Sequence, residues 1–184
     1  MIFEALGEAR ADVQPTIAAE RFSLRPLRRS DAGLIAHYAG DRRVACGTRT
    51  IPHPLPPGAA EAMVARARAA DRTEDTWALD GSRQGLGEVM GLITLKRMDR
   101  AQAEVSFWVA PALWNTGLAS EAVGALIAAD PHGAGQVFAE VFQDSPGSAR
   151  VLTHNGFEYL GDAESFSVAR NAVVPTWTYA LTRP

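Results

Sequence analysis

Several features that often mark a function are scarce or missing in this sequence. Cys46 is the only cysteine, so no intrachain disulfide can form, as is typical of the reducing cytoplasm. No apolar run reaches the roughly 18 residues that a membrane-spanning helix needs, and the opening MIFEALGEARADVQ is too acidic for a signal peptide. The histidines are scattered without metal-ligand spacing. We therefore expect a cytoplasmic protein without a metal site.

An excess of positive charge is missing as well. The net charge is -3, and 47% of the residues are hydrophobic while 21% are charged. These proportions are ordinary for a globular protein and give no indication that nucleic acid or a membrane is a partner. The length of 184 residues suits one domain with a sizeable core.

The hydrophobic patterns alternate between strand and helix types along the chain. Runs such as RFSLRPL, AEVSFWV and QVFAEVF predict strands, whereas AAEAMVARARAAD, GLASEAVGALIAA and SPGSARVLTHNGF predict helices. The predicted order is a strand, two helices, three strands, a helix, a strand, a helix and two strands. This order indicates a mixed α/β (α+β) domain with helices packed on a sheet. We expect Ser167–Thr176 to be a loop between the last two strands.

The glycines are not arranged for dinucleotide binding, because GSRQGLG lacks the third glycine and no helix follows it. A different turn, PALWNTGLASEA, lies between a predicted strand and a predicted helix. Its Gly117 precedes the first helical amides, which have no intrahelical partners and carry the positive end of the helix dipole. The turn is therefore either a pyrophosphate site or an ordinary structural turn.

The run AEVSFWVAPALWNTGLASEAVGALI, followed by DSPGSARVLTHNGF, resembles the GNAT (Gcn5-related) N-acetyltransferases, in the branch with the ribosomal-protein alanine N-acetyltransferases. ERFSLRPLRRSDA, IPHP and VPTWTYALTR extend the resemblance from about residue 16 to the C-terminus. It implies an N-terminal lead-in over residues 1–15 and a GNAT-like domain over residues 16–184. It also implies a mixed, mostly antiparallel sheet of about seven strands flanked by about four helices, with acetyl-CoA as co-substrate.

The resemblance assigns cofactor contacts residue by residue. Trp114 stands where the family's phosphate-binding motif begins with Gln or Arg, and Asn115 stands where a glycine is frequent, so the implied phosphate contacts come mostly from backbone amides. Ser145 replaces the asparagine of a second motif, and Ser148 matches its serine. The backbone of the preceding strand would pair with the pantetheine arm. The implied cofactor residues are Phe107, Trp108, Val109, Trp114, Asn115, Thr116, Gly117, Leu118, Ala119, Ser120, Ser145 and Ser148.

Acetyl transfer needs a group that takes a proton from the amine and a group that protonates or stabilises the departing thiolate. Glu104 is the candidate base, acting directly or through water, because alternation in AEVSFWV places it on one face with Ser106 and Trp108. In a core strand, desolvation would raise its pKa; the alternative is a solvent-facing glutamate. Ser145 is the candidate group that assists the departing thiolate. The alternative is that Ser145 is the N-cap of a helix. Leu152 occupies the place of a tyrosine acid found in part of the family.

The acceptor site is expected between the first two helices, the proline loop and the last hairpin, with Tyr38, Arg49, His53 and Trp177 as its lining. The acceptor itself would be a primary amine, either a peptide N-terminus or a small amine. A non-catalytic acyl-CoA-binding or sensor domain is the alternative function. The sequence is compatible with a monomer or a homodimer.

Overall fold

A computed structural model describes residues 13–183 of the chain, which form a sheet with helices on both faces. The strands of this region are β1 (Ile17–Ala18), β2 (Ser23–Pro26), β3 (Glu74–Asp80), β4 (Gly91–Met98), β5 (Gln102–Val109), β6 (Gln136–Phe142), β7 (Glu158–Ser167) and β8 (Ala172–Thr182). The helices are α1 (Ala32–Ala39), α2 (Arg42–Cys46), α3 (Ala59–Ala67), α4 (Leu118–Ala129) and α5 (Pro146–His154).

The sheet order is β1-β2-β3-β4-β5-β6-β8-β7, and every neighbouring pair is antiparallel except β5 and β6. The predicted fold class, a mixed and mostly antiparallel sheet flanked by helices, is confirmed. The described region has eight strands and five helices, one more of each than expected. The additional elements are β1, with two residues, and α2, with five, which are too short to produce a recognisable hydrophobic period.

The sheet has an apolar cluster on each face. Val105 and Val109 of β5 belong to the cluster that α4 and α5 cover, whereas Trp108 packs against the cluster formed with α1, α2 and α3. The alternation predicted for β5 is therefore confirmed, and the strand is covered on both faces. The face under α1, α2 and α3 carries the polar side chains Glu104 and Ser106.

The predicted loop Ser167–Thr176 is too long. β7 ends at Ser167 and β8 already begins at Ala172, so only residues 168–171 connect them. Pro175 lies within β8 although it supplies no amide to a ladder. In the structure it lies just beyond the last β6–β8 pair, Phe142 with Thr176, where no strand of the described region needs that amide.

The chain already contacts the sheet before β1. The Pro15 carbonyl accepts a hydrogen bond of 2.7 Å from the indole nitrogen of Trp77, and Gln14 donates to the Thr76 carbonyl at 2.8 Å. These two residues belong to the predicted lead-in 1–15, whose remaining part up to residue 12 lies outside the described residues.

A buried ion cluster ties β2 to its surroundings. The Arg25 guanidinium, in a residue only 5% exposed, donates to both oxygens of Asp31 at 2.8 and 2.9 Å and to Asp80 at 2.5 Å. Burial alone would lower the pKa of Arg25, but the hydrogen bonds and charges of Asp31 and Asp80 raise it above its ordinary value. The cluster fixes the start of α1 against the sheet.

We expect Arg25→Met to lower the free energy of unfolding by about 3–5 kcal/mol, because it leaves two buried carboxylates without their cation. Urea denaturation at pH 7, followed by circular dichroism, measures this change. Arg29→Met is the control, since Arg29 is exposed and its replacement should stay within about 0.5 kcal/mol of wild type. A loss as small as the control's would show that the cluster does not hold this part of the fold.

Candidate functional site

β5 and β6 run together only at their beginning. Their parallel pairing covers three residue pairs and ends at Glu104 with Phe138. β5 stays paired with β4 as far as Val109, whereas β6 stays paired with β8 along its whole length. The two halves of the sheet therefore diverge, and the edge of β5 beyond Glu104 faces a gap.

The backbone groups that face this gap follow from the pairing on the other side. The Ala110 amide donates to the Met90 carbonyl at 2.8 Å, on the side of β4. Because alternate residues of an antiparallel strand direct their backbone groups to opposite neighbours, Trp108 also faces β4, while Phe107 and Val109 face the gap. Of the three backbone positions predicted at this edge, the geometry selects the Phe107 and Val109 amides.

The gap leads to the N-terminus of α4. Gly117 immediately precedes the helix with φ of +82°, a left-handed conformation that a residue with a Cβ adopts only under strain. Asn115 also has a positive φ, of 60°. This tight turn presents the first amides of a twelve-residue helix, beginning at Leu118, to the cavity beside it.

Arg21 stabilises the turn through hydrogen bonds. Its Nε donates to Glu121 Oε2 at 2.6 Å, its backbone amide to Oε1 at 2.7 Å, and its Nη1 to the Thr116 carbonyl at 2.9 Å. The Thr116 hydroxyl donates to the Leu113 carbonyl at 2.6 Å. Thr116 is thus engaged in holding the loop, and it is the one predicted cofactor residue that does not line the cavity.

Trp114 has a different role from the Gln or Arg of the family motif. Its indole nitrogen donates to the Val109 carbonyl at 2.7 Å, so its single donor is used within the protein. The side chain is nevertheless 46% exposed, and the Arg43 guanidinium lies 5.9 Å from its ring centre. Trp114 can therefore form part of the wall of the cavity, but its N–H is not available to a phosphate.

Two hydroxyls lie at the start of α5. Ser145 occupies the N-cap position, yet its side chain accepts no hydrogen bond from the helix amides. Its Oγ is instead 3.2 Å from Ser148 Oγ. The alternative interpretation of Ser145 as the N-cap is therefore confirmed in position but not in a side-chain cap bond, and both serines line the cavity.

A third hydroxyl belongs to Ser120 in the first turn of α4. Its oxygen accepts from the Asn155 amide at 3.2 Å, and the same amide group donates to the Ser120 carbonyl at 3.1 Å. This contact ties α4 to the end of α5. The hydroxyl hydrogen of Ser120 remains available to a ligand.

A cavity of about 750 Å³ lies between α4, α5 and the open edge of β5, and we call it the cofactor cavity. It brings together every predicted cofactor residue except Thr116: Phe107, Trp108, Val109, Trp114, Asn115, Gly117, Leu118, Ala119, Ser120, Ser145 and Ser148. Arg43, Arg150 and His154 also line it, and the two arginines add cationic groups that suit phosphates. Free helix amides, basic side chains and a strand edge fit a long ligand that carries a pyrophosphate.

A second cavity, of about 400 Å³, adjoins the cofactor cavity where the sheet diverges, and we call it the acceptor cavity. The two cavities share lining at Gly47, Thr48, Phe107, Trp108 and Ser148. A reactive group that follows the edge of β5 out of the cofactor cavity would therefore reach the acceptor cavity at these residues.

Glu104 lies in the acceptor cavity and is not surrounded by apolar groups alone. Arg49 Nη2 contacts its Oε1, and Arg49 Nη1 donates to Glu140 Oε2 at 2.9 Å. The Glu104 side chain is 25% exposed, so neither the desolvated nor the fully solvent-facing environment matches it. The carboxylate is half-buried, ion-paired and directed at the cavity.

Glu140 is a site residue that the sequence reasoning missed. Its Oε1 accepts hydrogen bonds from the hydroxyls of Ser165 at 2.5 Å and Thr176 at 2.6 Å, while Oε2 holds Arg49. The alternation of QVFAEVF carries the signal that could have found it, because the side chain at 140 alternates with the core residues of β6.

The structure brings only one of the four predicted acceptor residues into this cavity, namely Arg49. Tyr38 lies on α1 with its ring 5.0 Å from that of His37, and His53 is exposed in the proline loop. Trp177 packs against the apolar cluster of α4 and α5, on the opposite side of β8 from Thr176, which lines the cavity. A one-residue step along a strand reverses the face of the side chain.

Residues 21–158 match the family model described as the acetyltransferase (GNAT) domain. The match covers about three quarters of the 184 residues, and the chain therefore belongs to the GNAT acetyltransferase family. Comparison with curated proteins found no significant match.

Solved structures with the same fold include several N-acetyltransferases. Mycobacterium smegmatis RimJ, in complex with CoA-disulfide, is 19% identical with a TM-score of 0.77 over 93% of this chain and 88% of its own. The ribosomal-protein-S5-alanine acetyltransferase of Vibrio fischeri is 16% identical with a TM-score of 0.74 over 93% and 100%. Spermidine N-acetyltransferase from Vibrio cholerae, with CoA and spermine, is 16% identical with a TM-score of 0.71 over 88% and 95%.

Membership in this family makes the chain an acyltransferase with acetyl-CoA as its co-substrate. The predictions of family, enzyme class and co-substrate are confirmed. Among residues 13–183, no three His, Cys, Asp or Glu side chains are grouped so that they could hold a metal ion. No helix in the same part of the chain is long and apolar enough to cross a membrane.

We expect Gly117→Ala to weaken CoA binding about tenfold, or about 1.4 kcal/mol, because the alanine strains the backbone that orients the α4 amides. Isothermal titration with CoA measures the affinity. Gly85→Ala is a matched control: Gly85 has a similar φ of +74° in a turn outside both cavities. Both variants should lose about 1–2 kcal/mol of stability, but only the first should lose affinity. Equal affinities would exclude this helix terminus as the phosphate site.

Proposed function

We propose that residues 16–184 form one catalytic domain, a cytoplasmic N-acetyltransferase that moves the acetyl group of acetyl-CoA to a primary amine. The observation that carries this proposal is the continuous path from the α4 amides, along the open edge of β5, to the carboxylate of Glu104. The path joins an anion site to a candidate base through shared cavity walls.

The groups at the cofactor end of this path would bind a CoA thioester in one defined orientation. The first amides of α4 would hold the pyrophosphate, with Ser120 and the cationic side chains of Arg43 and Arg150 around it. The pantetheine arm would lie along β5 as an added strand. Since Trp114 already occupies the Val109 carbonyl, the arm would pair with the remaining groups of Phe107 and Val109.

The reaction joins the amine nitrogen to the acetyl carbonyl carbon and breaks the bond between that carbon and sulfur. The nitrogen must first lose a proton, because an ammonium ion has no lone pair. Glu104 would take this proton, directly or through one water, and the Phe107 or Val109 amide would stabilise the negative charge developing on the carbonyl oxygen. The electron pair of the broken bond leaves with sulfur, which then takes up a proton.

Ser145 is the proposed partner of the departing sulfur. Its hydroxyl lies beside that of Ser148, which lines both cavities. The pair could donate a hydrogen bond to the thiolate and relay a proton to it. Leu152 is fully buried and has no such capability.

The acceptor would be a peptide N-terminus or a small amine. The Vibrio cholerae neighbour is described as a spermidine N-acetyltransferase and the Vibrio fischeri neighbour as a ribosomal-protein alanine acetyltransferase. Both kinds of acceptor present a primary amine, and both would place that amine at Glu104 in the acceptor cavity.

A non-catalytic acyl-CoA sensor is the second candidate function, and two observations favour it. The Glu104 carboxylate is ion-paired with Arg49, and the Trp114 indole occupies a backbone group at the edge of β5. In a sensor the cofactor cavity would bind acetyl-CoA, while the acceptor cavity would remain closed by its internal ion pairs.

We expect Glu104→Gln to lower kcat by about 10²–10⁴-fold, because an amide cannot accept the amine proton. The affinity for acetyl-CoA should be unchanged, because Glu104 does not line the cofactor cavity. A thiol-release assay with an alanine-initiated peptide, spermidine and propylamine measures turnover, and isothermal titration measures binding.

Glu158→Gln is the control for this variant, since Glu158 is exposed on β7 and outside both cavities. Wild-type turnover that survives in Glu104→Gln would assign the base to another group. Acetyl-CoA binding by wild type without transfer to any of the acceptors would favour the sensor.

A further inference from the structure

The Arg49 guanidinium lies inside the acceptor cavity, between two carboxylates. Arg49 contacts Glu104 with Nη2 and Glu140 with Nη1, and its side chain is 31% exposed. An arginine in contact with the candidate base is unexpected if the cavity only has to bind a cationic amine, because the arginine brings a competing positive charge.

Glu140 holds Arg49 in this position. The Glu140 side chain is 17% exposed, and both of its oxygens are occupied, by Arg49 on one side and by the hydroxyls of Ser165 and Thr176 on the other. The Arg49 carbonyl also accepts the Val168 amide at 3.0 Å. Withdrawal of the guanidinium would leave a largely buried carboxylate unpaired, which is costly. Arg49 therefore stays when an acceptor enters.

The charges that line the acceptor cavity balance. The cations are Arg49, Arg66 and Lys96, and the carboxylates are Glu74, Glu104 and Glu140. Lys96 lies directly opposite both Glu74 and Glu104 in the strand register, so the three side chains lie on one face of the sheet. Since the lining is neutral, one bound ammonium makes the cavity positive, and a second ammonium on the same acceptor is repelled.

We infer that Arg49, fixed by Glu140, is a specificity-determining residue that limits the acceptor to one positive charge, that of the reacting amine. This inference rests on the proposed N-acetyltransferase function. The inference predicts that removing the charge of Arg49 and removing the charge of Glu140 have opposite effects on the preference for a second cation. Removal of the Arg49 charge makes the lining negative and favours a second cation, whereas removal of the Glu140 charge makes it positive and disfavours one further.

The test compares acceptors that differ by one charge: propylamine with 1,3-diaminopropane, and the C-terminally amidated peptides Ala-Gln-Ala-Ala and Ala-Lys-Ala-Ala. Thiol release at pH 7.5 yields kcat/KM for each, and the measured quantity is the ratio of the singly to the doubly charged member. This ratio is independent of the folded fraction and of acetyl-CoA affinity. Wild type should favour the singly charged acceptor about tenfold, as one uncompensated charge pair predicts.

Arg49→Gln should bring the ratio close to one, and Glu140→Gln should raise it above the wild-type value. Glu164→Gln, an exposed glutamate of β7 outside both cavities, should leave the ratio unchanged. Arg49→Lys should retain the wild-type preference because it keeps the charge. Its kcat should nevertheless fall, because an ammonium cannot bridge two carboxylates in the fork geometry of arginine.

Equal ratios in wild type, Arg49→Gln and Glu140→Gln would overturn the inference while leaving the proposed function intact. A wild-type preference for the doubly charged acceptors would overturn it as well. If Arg49→Gln does not fold, Glu140→Gln and Arg49→Lys still decide the question. Acetyl-CoA binding without transfer to any of the four probes would instead overturn the proposed function, and the inference with it.

Discussion

The early end of the pairing between β5 and β6 is the constraint on which the site depends. β6 remains bound to β8 and β5 remains bound to β4, so the two halves of the sheet separate after Glu104. Beyond Glu104 the edge of β5 that faces away from β4 lines the cofactor cavity, and its backbone groups need partners there, from water or from a ligand. A ligand that pairs like a strand satisfies this need, and the free edge ends beside the amides of α4.

The ion pairs of Arg49 span this divergence. Glu104 belongs to the half of the sheet that contains β5, and Glu140 belongs to the half that contains β6, so one guanidinium connects the two. The hydroxyls of Ser165 and Thr176 extend the connection to β7 and β8. The same network that orders the candidate base thus sets the charge of the acceptor cavity.

Much of the fold could be predicted because its signals are local, whereas the residues of the cofactor cavity were predicted from the family resemblance. The alternation in AEVSFWV correctly assigned the side chains of β5 to the two faces of the sheet, and Gly117 marked the start of α4. The short elements β1 and α2 were missed because two and five residues carry no period. The loop Ser167–Thr176 was predicted too long, since only the sheet order shows that β8 already begins at Ala172 and that the missing amide of Pro175 has no ladder to join.

The sequence by itself determined most of the strands and helices and a helix start at Gly117, because each depends on neighbours within a few positions, and the residues of the cofactor cavity followed from the family resemblance. Only the tertiary structure decided the acceptor cavity. Arg49 meets partners 55 and 91 residues away along the chain, and Trp177 and Thr176 are separated onto opposite faces by a single step of β8. Contacts between distant residues follow from how the sheet halves pack, and no local pattern encodes that arrangement.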